Sequence, residues 1–216
     1  MPAAFTENWL EATGMVLGGE AYFPRPIETR GDVYVQVVRS TTGGATTAMY
    51  TSLLLAMSSA RKSVYITNPY FVLDEKMSEA LLSTVKRGVR VVVLVPGAID
   101  HNIVRQASRA QFGPMLKAGV EIFEYTAALL HSKTMVIDGV WATIGSTNLD
   151  NRSLALDEEL NVIIYDRGVA QQFGAWRGLD PVAVPGMPVT LLGIELLAGQ
   201  CRRRVTDPLD RDGDLG

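Results

Sequence analysis

The stretch KRGVRVVVLVPG, residues 86–97, carries the clearest structural signal of the sequence. Residues 89–95 are almost continuously β-branched, which is typical of a strand that is buried on both faces of a sheet. Gly88 is suited to end a preceding helix, and Pro96 followed by Gly97 ends the strand. The stretch therefore predicts a helix that leads directly into a central strand.

Strands and helices alternate on both sides of this central strand. The predicted strands are residues 33–38, 63–67, 120–125 and 159–165, and the predicted helices are residues 47–61, 74–87, 103–118 and a last one from Arg167. Alternation of this kind favours right-handed crossovers between parallel strands. We therefore predict an α/β fold with a mixed, largely parallel sheet that is flanked by helices on both faces.

The composition is that of a folded protein, and it excludes several kinds of site. Of the 216 residues, 47% are hydrophobic and 20% are charged, a balance that disordered chains do not have. One cysteine excludes a disulfide framework, and two histidines exclude a three-histidine metal site. A net charge of −3 argues against a nucleic-acid binder that works by bulk charge, but it leaves a local phosphate site open.

A hairpin is predicted around Asp138 and Gly139, because this dipeptide favours a tight type I′ turn. The first strand of the hairpin is predicted over residues 129–137. On that strand His131 and Lys133 are two residues apart, so their side chains share one face. An imidazole beside an ammonium suits a phosphodiester, since histidine attacks or protonates and lysine supplies positive charge.

The run GSTN, residues 145–148, follows the hairpin and is called the GSTN turn below. Gly145 permits a close backbone approach, and Ser146 and Asn148 offer side-chain donors to an anion. The hairpin returns this turn to the start of the first strand, near His131. Two halves of one phosphate site are therefore predicted to meet.

Two acidic residues nearby receive different roles. Asp138 is interpreted as a residue of the turn, with a structural role like that of Gly145, rather than as a phosphate ligand. Glu159 starts the next predicted strand. Its carboxylate would accept the second imidazole N–H of His131 and fix the tautomer, as the third member of a triad does.

These residues together resemble the signature of the phospholipase D superfamily at every spacing: His131-x-Lys133-x4-Asp138-x6-Gly145-Ser146-x-Asn148. The flanking runs SVYITNPYF, KRGVRVVVLVPG, GVEIFEY and GSTNLDNRS before DEELN resemble the second catalytic repeat of bacterial cardiolipin synthases. The run FTENWLEATG near the start is similar to the last helix of the first repeat in that family.

The resemblance implies an enzyme that transfers a phosphatidyl group through a phosphohistidine intermediate, with no metal and no other cofactor. His131, Lys133 and Glu159 would be catalytic, with His131 as nucleophile or general acid and Glu159 as its orienting carboxylate. Lys133, Ser146 and Asn148 would bind the substrate phosphate. The expected substrate is a phospholipid like phosphatidylglycerol, and the expected location is the cytoplasmic side of the cell membrane, in peripheral contact with it.

Such a site needs two signatures, and this sequence holds one. A second phospholipase D-type repeat, or a second copy of the chain, is therefore expected to complete it. The lead interpretation is one half of a cardiolipin synthase-like active site. The alternatives are a homodimeric phosphodiesterase or nuclease, a hydrolase that uses water as acceptor, and a catalytically silent fragment or interaction module.

Three segments are predicted along the chain. Residues 1–30 are interpreted as the remnant of a preceding repeat plus a linker, and residues 31–177 as the catalytic repeat. Residues 178–216 change in composition to proline, glycine and charged runs, and they are expected to form an atypical, poorly ordered tail. Truncation at both ends or a lineage-specific extension would produce this arrangement.

Overall fold

The computed structural model describes residues 2–26, 28, 31–41, 47–97, 102–125, 129–173 and 202–204. The helices in these ranges are α1 Pro2–Thr13, α2 Thr47–Ser59, α3 Glu75–Lys86, α4 Asn102–Ala118, α5 Asn151–Ala155 and α6 Arg167–Phe173. The strands are β1 Tyr34–Ser40, β2 Ser63–Thr67, β3 Phe71–Val72, β4 Arg90–Pro96, β5 Glu121–Tyr125, β6 Thr134–Ile137, β7 Trp141–Gly145, β8 Leu149–Asp150, β9 Glu159–Tyr165 and β10 Arg202–Arg204.

The described strands form one mixed sheet in the order β1-β9-β7-β6-β2-β4-β5-β10, and β3 pairs with β8 separately. The predicted α/β fold with a mixed, helix-flanked sheet is confirmed. Parallel pairing is narrower than predicted, because in the large sheet it joins only β2 to β4 and β4 to β5. The first predicted strand, β1, pairs antiparallel with β9. Between β1 and β2 in the sheet lie β9, β7 and β6, and each of these strands pairs antiparallel with its neighbours.

The central strand β4 is buried on both faces, as its β-branched sequence predicts. Val91 and Val93 lie in a core that they share with α2, α3 and α4. Val92 and Leu94 face the other side, in a second core that includes Ala170 of α6. The predicted helices on both faces of the sheet are therefore present.

The ends of α3 show why the helix before β4 forms where the sequence places it. Asp74 caps the first turn by accepting a hydrogen bond from the Met77 N–H at 2.7 Å. The chain leaves the helix through Gly88, whose φ of +81° favours glycine. Both signals are local, so they could be read from the sequence.

The β6–β7 hairpin has the predicted type I′ turn. Asp138 has a φ of 53° and Gly139 a φ of 66°, both in the left-handed region that this turn requires. The Val140 N–H donates to the Ile137 carbonyl at 3.0 Å and closes the turn. The dipeptide therefore closes the turn between the two strands that carry the candidate site, and their pairing begins at Ile137 and Trp141.

The carboxylate of Asp138 also holds the turn against the start of β2. It accepts backbone N–H bonds from Arg61 at 2.9 Å, Lys62 at 2.8 Å and Ser63 at 2.9 Å. Burial raises the pKa of Asp138, but these donors and the charge of Lys62 together hold the pKa below its usual value. Asp138 thus has a structural role, in agreement with its interpretation as a turn residue.

Replacing Asp138 by asparagine should lower the free energy of unfolding by about 1.5–3 kcal/mol near neutral pH. Asparagine tolerates the positive φ, so the change isolates the loss of the charged acceptor. Because the folded-state pKa is lowered, the carboxylate contributes fully above the usual aspartate pKa, and its contribution is lost as pH falls through the folded-state pKa. The difference in the free energy of unfolding between the wild type and Asp138→Asn, measured by urea unfolding, should be smaller at about pH 3 than at about pH 7.

The matched control is Asp166→Asn, since Asp166 accepts one backbone N–H bond, from Val169 at 2.8 Å, where asparagine serves equally well. The role given to this carboxylate would be contradicted if Asp138→Asn lost no more free energy of unfolding than the control. It would also be contradicted if the loss grew as the solution became more acidic.

The outer segments are described in part. α1 lies in the predicted segment 1–30, and its Phe5 and Trp9 rings stack with centroids 5.9 Å apart. The origin of this segment in a preceding repeat remains a prediction.

Of the predicted tail, residues 178–216, the structure describes only Arg202–Arg204, which pair antiparallel with β5. Among the described helices, none has both the length and the apolar character that crossing a membrane requires.

Candidate active site

The ends of several strands meet at one edge of the sheet, called the site edge below. β1, β2 and β7 end there, and β6 and β9 begin there. The residues that face each other at this edge are Ser40 with Glu159, Asn161 with Gly145, and Thr134 with both Ile144 and Thr67. Every residue predicted for the site is therefore on a segment that reaches or adjoins this edge, except Asp138 at the far end of the hairpin.

His131 and Lys133 lie just before β6, not on it as predicted. The β2–β6 ladder ends at Thr67, and Pro69 two residues later has no N–H to donate. On the other side the pairing continues by one step, because the Gly145 N–H donates to the Lys133 carbonyl at 3.4 Å. The hairpin thus brings the His-x-Lys segment beside the GSTN turn, as the sequence predicted.

The two side chains of the His-x-Lys segment differ in their surroundings. His131 is exposed, and the ring of Tyr70 meets its imidazole edge-on, with centroids 6.2 Å apart and an interplanar angle of 84°. The ammonium of Lys133 donates to the His131 carbonyl at 3.1 Å. The positive charge of Lys133 therefore lies next to the backbone of His131, and its contact with a phosphate remains a prediction.

Gly145 is required by a close approach between β7 and β9. A Cβ atom at this position would lie 2.6 Å from the Asn161 Cα, and it would also overlap the Leu160 carbonyl oxygen and the Asn161 Oδ1. Real Cβ atoms do not come so near to backbone atoms. The glycine of the signature is thus explained by packing of the neighbouring strand.

Ser146 makes hydrogen bonds to β9 through both its backbone and its side chain. Its N–H donates to the Leu160 carbonyl at 3.1 Å, and its Oγ accepts from the Leu160 N–H at 3.0 Å. The same hydroxyl lies 3.4 Å from the Leu160 carbonyl, to which it donates. Ser146 therefore extends the β7–β9 ladder in this structure, and its contact with phosphate remains a prediction.

The amide of Asn148 is turned toward α5. Its Nδ2 donates to the Ser153 Oγ at 3.2 Å, while its Oδ1 is buried and has no hydrogen-bond partner among the described residues. The backbone N–H of Ser153 is in turn capped by Asp150 at 2.8 Å. The short helix α5 thus holds the side chain of Asn148 through Ser153.

Glu159 is the first residue of β9 and is 8% exposed. By the alternation of the strand it shares a face with Asn161 and with Ile163, which belongs to the core under α2, α3 and α4. In the described part of the chain no hydrogen bond joins its carboxylate to the imidazole of His131. The orienting role predicted for Glu159 stays a prediction.

Two buried asparagines were not singled out in the sequence, although both contact the GSTN turn. Asn68 and Asn161 are each 3% exposed. Asn68 donates to the Thr147 carbonyl, and Asn161 donates to the Thr147 hydroxyl. A weak signal was available for Asn68, because a polar residue directly after a buried strand often lies at a functional edge of an α/β sheet.

A match to a family model identifies the class of domain that has this fold and this site edge. Residues 53–176 match the family model described as cardiolipin synthase, PLD-like domain, and they make up more than half of the chain. The chain therefore belongs to this family, and the resemblance inferred from the signature is confirmed.

Two relatives that this chain is similar to are cardiolipin synthases. Cardiolipin synthase A from Erwinia tasmaniensis is 40% identical over 143 residues, which are 66% of this chain and 29% of that protein. Cardiolipin synthase 2 from Staphylococcus epidermidis is 37% identical over 150 residues, 69% of this chain and 30% of that protein. The chain thus spans less than a third of the length of the curated relatives it matches.

A solved structure shares the fold over most of its own length. The phospholipase D family member Nuc from Salmonella typhimurium aligns with a TM-score of 0.58 and 22% identity, over 67% of this chain and 91% of that one. This likeness supports the mixed sheet and its flanking helices as a phospholipase D-type fold.

Proposed function

We propose that this chain supplies one half of the active site of a cardiolipin synthase-like phosphatidyltransferase. The observation that carries the proposal is the hydrogen bond from the Gly145 N–H to the Lys133 carbonyl, which sets the His-x-Lys segment beside the GSTN turn. Family membership supports a phospholipid like phosphatidylglycerol as substrate. Peripheral contact with a membrane follows from that substrate.

In the proposed reaction His131 is the nucleophile or, with the roles exchanged, the general acid. As nucleophile, one imidazole nitrogen attacks phosphorus, and the P–N bond forms while the P–O bond to the leaving alcohol breaks. A second histidine, from another repeat or another copy, protonates the leaving oxygen. The acceptor alcohol then gives its proton to that second histidine as its oxygen displaces His131 from phosphorus.

The surrounding residues would stabilise the charge of the transferring group. Lys133 would offset the negative charge on the phosphate oxygens, and Asn148 would donate a hydrogen bond after its amide turns from Ser153. The Ser146 hydroxyl would add a donor. Glu159 would fix the imidazole tautomer of His131, and it reaches the imidazole only if the side chains rearrange on binding of the substrate.

The test is a trapping experiment with phosphatidylglycerol vesicles that are radiolabelled in the phosphate. The chain is used at high concentration, to favour any association of two copies, and the reaction is quenched in alkali to preserve a P–N bond. His131→Ala should reduce the protein-bound label at least about 100-fold. Glu159→Gln should slow the appearance of label while vesicle binding stays close to that of the wild type.

The control for the trapping experiment is Gln111→Ala, which removes a side chain of α4 that bonds to Leu73 and is assigned no part in the chemistry. Label that persists in the His131→Ala variant would refute the proposed intermediate. Label that is lost equally in the control would point to a general loss of folding.

A second candidate is a phosphodiesterase that two copies of the chain complete together. The specific observation in its favour is that this chain covers 91% of the length of Nuc, so a phospholipase D-type fold of this size occurs as a whole chain. The assay that separates the candidates offers bis(p-nitrophenyl) phosphate beside phosphatidylglycerol. Hydrolysis of the former without transfer of the latter would favour the phosphodiesterase.

A further inference from the structure

The GSTN turn is held from the β2 side by one buried amide, that of Asn68. Its Nδ2 donates to the Thr147 carbonyl at 3.4 Å, and its Oδ1 accepts from the Leu149 N–H at 3.2 Å. These two bonds reach the residues directly before and after Asn148. The backbone of the signature asparagine is thus bracketed on both sides by a single side chain.

The same oxygen reaches the other half of the site. The Asn68 Oδ1 also accepts from the Tyr70 N–H at 3.1 Å, and the Tyr70 ring meets the imidazole of His131 edge-on. One side chain therefore connects the turn that carries Asn148 to the segment whose ring contacts His131. The amide is neutral and 3% exposed, so it offers a ligand neither charge nor an accessible contact. Any effect on the site would come from the backbone positions that its hydrogen bonds hold.

The end of the GSTN turn has other contacts besides Asn68, since Asn161 donates to the Thr147 hydroxyl and β8 pairs with β3 from Leu149. Asn148 itself makes one hydrogen bond, to the Ser153 Oγ, and its Oδ1 has no partner among the described residues. Leu149 is buried, so without Asn68 its N–H would lack the acceptor that it now has. A buried N–H without an acceptor costs about 1–3 kcal/mol, which is enough to shift a turn to another conformation.

We propose that Asn68 is a positioning residue of the active site, which sets the Asn148 donor at a fixed place relative to His131. This inference rests on the proposed function, because it takes the site to bind a phosphate group. Its consequence is that loss of the amide should weaken the binding of a tetrahedral oxyanion, although Asn68 does not touch the anion.

Gln111 on α4 provides a matched comparison within the same molecule. The oxygen and the nitrogen of its amide both bond to the backbone of Leu73. The oxygen accepts from the Leu73 N–H and the nitrogen donates to the Leu73 carbonyl, each at 2.9 Å. It makes no hydrogen bond to the His-x-Lys segment or the GSTN turn. Asn68→Ala removes three side-chain hydrogen bonds to the backbone and Gln111→Ala removes two, so both are expected to lower thermal stability.

The experiment is a titration of the full chain with tungstate, followed by the backbone and side-chain amide resonances of 15N-labelled protein. Asn68→Ala should weaken tungstate binding at least about tenfold and move the amide resonances of Asn148 in the free protein. Gln111→Ala should leave the dissociation constant within about twofold of the wild type. Asn68→Ser, which retains a hydroxyl acceptor, should give an intermediate constant.

The outcomes separate the two proposals. A wild-type chain that does not bind tungstate would refute the phosphate site itself, and with it the inference. Wild-type binding that Asn68→Ala and Gln111→Ala weaken equally would overturn the positioning role alone. Should neither Asn68 variant fold, hydrogen exchange of the Leu149 N–H in the wild type decides: tungstate should slow this exchange, and an unchanged rate would overturn the role.

Discussion

A monomer of this 216-residue chain is expected to transfer phosphatidyl groups at least about 100-fold more slowly than an assembly that holds two signatures. In the proposed reaction His131 cannot both attack phosphorus and protonate the leaving alcohol. General acid catalysis contributes typically about 10²–10⁴-fold, and a lone site also lacks the second set of phosphate donors. The monomer therefore loses a proton donor and part of the charge stabilisation.

The measurement is transfer from phosphatidylglycerol vesicles over a dilution series, with the molecular mass determined at each concentration. The rate per chain should rise with concentration in step with the fraction of associated chains. Adding excess His131→Ala chains should suppress the wild-type rate, because mixed assemblies contain one working histidine. Gln111→Ala chains added in the same excess should not suppress it. Full turnover by a chain shown to be monomeric would contradict the two-signature reaction.

Gly145→Ala should lower the free energy of unfolding by about 2–3 kcal/mol and the Tm by roughly 5–10 °C. The added methyl group would collide with the backbone of Leu160 and Asn161, which belong to β9 and cannot rotate away as a flexible side chain can. To relieve the overlap β7 and β9 must separate, which breaks the Ser146 hydrogen bonds to Leu160. Tungstate binding should weaken as well, since the GSTN turn starts at this glycine.

The matched control is Gly113→Ala in α4, where an added Cβ would have nothing within 4 Å. In a helix interior alanine is preferred over glycine by about 0.5–1 kcal/mol, so this variant should be neutral or slightly more stable. Thermal unfolding of both variants followed by circular dichroism gives the comparison. A Gly145→Ala protein as stable as the wild type would show that β7 and β9 do not approach as described.

The hairpin and the central strand could be predicted because their determinants are local. A run of β-branched residues is sufficient to indicate a strand buried on both faces, as β4 is. Asp138 and Gly139 adopt the positive φ angles that their residue types permit, so the turn follows from two positions. The spacing of His131, Lys133 and the GSTN turn then indicates one phosphate site.

The extent of parallel pairing could not be predicted in the same way. Strand sequences indicate burial, whereas the neighbour of a strand depends on how the whole chain returns to the sheet. The alternation of strands and helices favours a parallel neighbour for β1, but its partner is the antiparallel strand β9, more than a hundred residues later in the chain. Only the assembled sheet shows that the hairpin and β9 lie between β1 and β2.

The sequence by itself thus determined the family, the α/β class, the hairpin and the residues of the signature. Tertiary structure decided how those residues are held: β6 begins after Lys133, the Ser146 hydroxyl bonds to β9, and Asn68 brackets Asn148. The physical reason is the distance along the sequence between the residues in contact. Residue periodicity and turn angles act over a few positions, but the Leu149 N–H meets the Asn68 Oδ1 across 81 residues, a contact that exists only after the strands have assembled.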